Sequence, residues 1–134
     1  MKVKCLTKSY KVLSNEYIKD IFEIPENFHL VEEKEYTVYG LLFEKGLVFY
    51  LINDEGWGEL YPSWNPAPLF KVTKNQLSKY WIFSEYTNKK FENRTFIIFK
   101  EWAEDEYFYT GLVDGEEKEK KVWRSVMKKM DEEF

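Results

Sequence analysis

Chemistry that depends on an imidazole or a thiol has two places to sit, because the chain holds one histidine, His29, and one cysteine, Cys5. His29 stands in PENFHLVEEKE between Phe28 and Leu30, with no nucleophile motif beside it. A catalytic triad needs a base held against a nucleophile, so His29 reads as a surface or packing residue. Cys5 falls in an alternating, strand-like segment and reads as a small buried apolar residue. One histidine and one cysteine do not make an ordinary zinc ligand set. Carboxylates are plentiful, with 24 Asp and Glu, and both NDEGWGE and EWAEDE place several beside a tryptophan. Two acids facing each other about 5–9.5 Å apart could cleave a glycosidic bond. NDEGWGE lacks the ligand spacing of a calcium loop. There is no G-x-G-x-x-G and no P-loop to cradle phosphate. The sequence therefore predicts no catalytic residue, no metal and no cofactor, with a carboxylate-based hydrolase on a sugar or nucleotide as an alternative.

The elements that must position any site come from a chain of 134 residues, expected to fold as a single domain, 1–134. The formal net charge of −4 opposes a nucleic-acid binder, which needs a positive field to displace counterions. A nucleic-acid-binding barrel module is nonetheless an alternative. Lys71, Lys74, Lys79, Lys89, Lys90 and Arg94 fall in the middle of the chain, and aromatic residues make up 19% of it. A lone cysteine allows no internal disulfide, no apolar run approaches the length of a membrane span, and MKVKCLTKSYK has no signal-peptide core. Those features predict a cytoplasmic protein that does not engage membranes.

The clearest element is EYTVYGLLFEKGLVFYLIND, two strands over about 35–43 and 47–53 around a three-residue EKG loop with Gly46 left-handed. Both faces are apolar. Tyr36, Val38 and Leu42 alternate with Tyr39, Leu41 and Phe43, and the return strand sets Leu47, Phe49 and Leu51 against Val48, Tyr50 and Ile52. Such a hairpin belongs at the centre of a sheet or under a helix. Gly40 inside the strand predicts a bulge or bend. Further strands are expected near the N-terminus and over about 69–73, 79–86 and 94–100. Ser14 could cap a short helix through Phe22, although an extended segment fits there too. EWAEDEYFYTGLVDG reads as helical, weakened at its end by Gly111. Asp114 and Glu117 form a possible capping box for a last helix over about 115–133. Val122, Trp123, Val126, Met127, Met130 and Phe134 make its apolar stripe. The predicted class is α+β: a strongly bent antiparallel sheet of five to six strands, SH3-like or barrel-like, followed by helices.

ELYPSWNPAPLF concentrates three of the four prolines. Pro62, Pro66 and Pro68 stiffen an extended connection, and Leu69 and Phe70 re-enter the core. A stiff loop loses little entropy on binding. Asp54, Glu55, Trp57, Glu59, Tyr61 and Trp64 are therefore the expected partner-binding residues, aromatic anchors with acids beside them.

Taken in order, YTVYGLLFEKGLVFYLINDEG, YPSWNPAPLFKV, LSKYWIFSEY and DEYFYTGLVDGEE resemble small bacterial immunity proteins of polymorphic toxin and contact-dependent inhibition systems. The resemblance spans about residues 34–117. It implies a cytosolic, non-enzymatic protein whose partner is a cognate toxin, neutralised by direct binding. It carries over no catalytic residues.

Overall fold

The two-sided apolar pattern of the central hairpin sets the architecture, because each face needs its own cover. The structure is a computed structural model describing residues 1–20, 28–54, 62–87 and 93–134. The strands are β1 (Lys2–Cys5), β2 (Glu35–Thr37), β3 (Gly40–Glu44), β4 (Leu47–Asn53), β5 (Pro62–Pro66), β6 (Phe70–Lys74), β7 (Trp81–Thr87) and β8 (Asn93–Phe99). The helices are α1 (Asn15–Asp20), α2 (Lys100–Ala103), α3 (Phe108–Val113) and α4 (Glu117–Asp131). The class is α+β, as expected. The single bent sheet of five to six strands is instead two antiparallel sheets, ordered β2-β1-β6 and β5-β4-β3-β8-β7. Neither closes into a barrel.

The larger sheet is the middle layer. One face carries Leu42, Leu47, Phe49, Leu51, Phe96 and Ile98 against Trp102, Phe108, Leu112, Trp123, Val126 and Met130 of the C-terminal helices. The opposite face sets Leu41, Tyr50 and Ile52 against Val3, Cys5, Tyr36 and Phe70 of the smaller sheet. The hairpin is thus central and helix-covered on one side, as its composition predicts.

The chain changes sheets at Val38–Tyr39. Val38 N donates to Met1 O at 3.1 Å, closing the small sheet, and Tyr39 N donates to Leu51 O at 2.8 Å, opening the large one. This resets the alternation. Tyr36 and Val38 share a core with Leu41, whereas Tyr39 joins Leu42, so the expected grouping of Tyr36 and Val38 with Leu42 fails. The irregularity signalled by Gly40 is this crossing. A Cβ at Gly40 would lie 3.0 Å from Ile98 Cδ1 and Cγ1, so any side chain there would press on the buried Ile98.

Four local expectations are corrected. The hairpin loop has two residues, since Glu44 pairs with Leu47. Lys45 (φ 52°) and Gly46 (φ 78°) are both left-handed, the requirement of a tight turn matching strand twist. The helical region after β8 breaks into α2 and α3. Asp114 ends α3 and Gly115 follows with φ 79°, while Glu116 precedes α4, so no Asp114–Glu117 capping box forms. The stripe of α4 does bury Trp123, Val126 and Met130, with Val122 and Met127 partly covered. Finally, Pro62–Pro66 is not only a connection. It is β5, paired with β4 at the sheet edge, where a missing N–H is tolerated.

Candidate interaction surface

Of the residues expected to bind a partner, Glu55, Trp57, Glu59 and Tyr61 lie outside the described residues. Asp54, just after β4, is buried. Trp64 lies opposite Leu51 on the helix-covered face of the sheet and is half-buried. Its ring centroid is 5.8 Å from that of Phe96 and 5.8 Å from that of Trp102. The geometry of Trp64 is that of a packing residue. Its neighbour Asn65 is buried and satisfied internally, donating through Nδ2 to Ser63 Oγ at 2.9 Å and to Ser63 O at 3.2 Å.

The chemistry-bearing residues stay apart. His29 is exposed, and Cys5 is fully buried in the core. Burial, reinforced by the nearby charge of Glu32, pushes the Cys5 thiol above its ordinary value, making it a poorer nucleophile. Among the described residues no three His, Cys, Asp or Glu side chains gather as a metal site. Likewise, no helix among them is long and apolar enough to cross a membrane.

Two carboxylates do share a groove. A cleft of about 370 Å³ between β2 and the end of α4 is lined by Lys2, Lys34, Glu35, Tyr39, Asn53 and Asp131, among others. Each acid is held by a hydroxyl: Tyr39 Oη donates to Asp131 Oδ1 at 2.7 Å, and Thr73 Oγ1 donates to Glu35 Oε2 at 2.8 Å. The Tyr39 ring also meets Trp123 edge-on at 5.1 Å, so this hydroxyl pins α4 to the sheet. Of the lysines considered for nucleic acid, Lys89 and Lys90 lie outside the described residues. Lys71 and Lys74 are exposed on β6, and Arg94 Nε pairs with Glu44 Oε1 at 3.0 Å. The shallow surface beside Lys74 is lined by Val72, Thr73, Asn75 and Gln76, with no aromatic ring on which a base could stack.

The sheet edges differ more informatively. An edge strand presents unpaired backbone groups, and proteins usually block them. The β5 edge carries Pro62 and Pro66. Where β5 does not reach, Tyr17 Oη accepts from Val48 N at 3.1 Å and donates to Val48 O at 3.3 Å, sealing that end of β4. In the small sheet, β2 is only three residues long and β6 exposes Lys71 and Lys74. The last edge, β7, reads WIFSEYT: seven residues with no proline, no lysine and a single charge, Glu85. It pairs with β8 on one side. Ile82 (41% exposed) and Phe83 (65% exposed) point to opposite faces of it. Phe83 continues a row across the sheet through Ile97 to Leu41, with exposed Phe43 two positions along on the same face.

Sequence reasoning placed the 79–86 strand but did not single out Ile82 or Phe83. WIF is apolar on both faces, which reads as a central strand, and strand order is not written in the pattern. The absence of any blocking residue in WIFSEYT was the available signal. Comparison with protein families, with characterised proteins and with solved structures finds no match to this chain.

Proposed function

We propose that the chain is a cytoplasmic, non-enzymatic protein-binding domain, an immunity protein that neutralises a cognate bacterial toxin by direct binding. The observation that supports this reading is the exposed apolar strand β7, with Ile82 and Phe83 open on its two faces and Phe43, across β8, exposed on the face of Phe83. Protein interfaces draw most of their energy from a few large side chains of this kind that become fully desolvated. The net charge of −4 adds a modest bias toward a basic partner. The segment resembling immunity proteins, about 34–117, includes β7. The test is co-expression with the protein encoded immediately beside this one. A co-purifying complex with restored growth is expected, and neither complex nor rescue would refute the reading.

A hydrolase reading has one observation in its favour, the shared groove of Glu35 and Asp131. Turnover of aryl glycosides or nucleotides that disappears in both Glu35→Gln and Asp131→Asn would establish it. Absence of turnover in the parent chain would remove it.

A further inference from the structure

We infer that β7 is a receiving edge: a partner adds an extended, basic segment as a sixth strand beside it. The inference rests on the protein-binding reading and names where and how binding occurs. Strand addition takes most of its affinity from main-chain hydrogen bonds and its specificity from alternate side chains. An edge of seven residues, Trp81–Thr87, is long enough to supply a full ladder. Every other edge of the two sheets is short, proline-bearing, lysine-bearing or sealed by Tyr17, so among the described residues β7 is the edge without such a block. On one face the incoming strand would cover Phe83 and on the other Ile82, both of which β8 leaves exposed.

Charge selects the occupant. Ser84 Oγ donates to Ala103 O at 3.0 Å, fixing the end of α2 over β7. The chain then runs directly into Glu104, Asp105 and Glu106, with Glu101 one turn earlier. Glu85, Glu101, Glu104 and Glu106 make no ion pair among the described residues. An added strand therefore lies beside carboxylates that no ion pair among the described residues neutralises, which favours lysine or arginine in it. The same charge disfavours a second copy of this chain, since pairing β7 with its twin would gather two acidic turns at one interface.

The experiment uses the full chain and the peptide acetyl-KVTVKVTK-amide, with a counterpart N-methylated at every second residue. Backbone hydrogen exchange over residues 81–87 should slow when the plain peptide binds, and the N-methylated peptide should fail to produce this. Phe83→Ser, at an exposed position that leaves the core intact and adds no charge, should weaken binding by about tenfold. Glu104→Lys should weaken it by several-fold and flatten its dependence on salt. Unchanged exchange in β7 would overturn the inference, as would equal binding of the N-methylated peptide. Protection of β7 without peptide that grows with protein concentration would also overturn it, by assigning the edge to a second copy. If β7 ignores the peptide while the co-expressed neighbour still co-purifies, strand addition falls and protein binding stands. If β7 takes the peptide but the neighbour neither binds nor is neutralised, the toxin reading falls and the edge stands.

Discussion

Replacing Trp64 with alanine separates packing from binding at the aromatic–proline segment. The ring is half-buried, and a tryptophan buries roughly 200 Å² when fully enclosed, so about 100 Å² of contact is at stake. At about 25 cal/mol per Å² that burial contributes about 2.5 kcal/mol. The two ring contacts at 5.8 Å, to Phe96 and Trp102, add roughly 0.5 kcal/mol each. Trp64→Ala should therefore destabilise the protein by about 3.5 kcal/mol, lowering the melting temperature by roughly 14 °C. Urea unfolding followed by tryptophan fluorescence and far-ultraviolet circular dichroism measures it. The midpoint should fall with little change in slope. Trp64→Phe should recover more than half of the loss, because it keeps an aromatic ring between the two partners. A loss below about 1 kcal/mol, together with weakened partner binding, would refute the packing argument and return Trp64 to a binding surface.

Other substitutions probe the frame. Gly40→Ala should cost about 1–3 kcal/mol, because the new Cβ meets the buried side chain of Ile98 at 3.0 Å. Gly111→Ala should be neutral or slightly stabilising in the same urea assay. There the obstructing atoms belong to the flexible side chain of Glu119, and α3 gains a better helix former. Tyr39→Phe should cost about 1–2 kcal/mol by removing the 2.7 Å bond to Asp131, read as a lower unfolding midpoint. Burial raises the Cys5 thiol above its ordinary 9.0 and the Tyr50 phenol above its ordinary 10.0. In each case the unfolded chain loses its proton first, so the contribution of these two groups is level below pH 9 and falls as pH rises through 9 and then 10. Cys5→Ala should remove the earlier part of that alkaline loss, measured by urea unfolding across pH 8–11.

Much of the frame was legible because the physics is local. Seven residues, LVFYLIN, apolar on both faces, can only be a covered central strand, and β4 is one. The stripe from Val122 to Met130 similarly fixed α4 and the face it buries. What escaped depends on tertiary context. PSWNP looks like a connection because prolines oppose strands, yet an edge tolerates them, and which strand is an edge is a global fact. Gly40 announced an irregularity, but not that the chain there leaves one sheet for another. Asp114 and Glu117 have the spacing of a capping box. The tighter demand was to end α3, and Gly115 in the left-handed region met it. The proposed binding surface was the least legible part. Aromatic richness pointed to the segment around Trp64, where the ring packs inward, while the exposed side chains Ile82 and Phe83 sat in a strand that reads as core.

The most direct test of binding at this edge is hydrogen exchange across the whole chain, with and without the protein encoded beside it at saturating concentration. Slowed exchange concentrated in residues 81–87, reduced by Phe83→Ser while the rest of the chain keeps its protection, is the predicted result. Unchanged exchange in 81–87 with a stable complex formed elsewhere would contradict it.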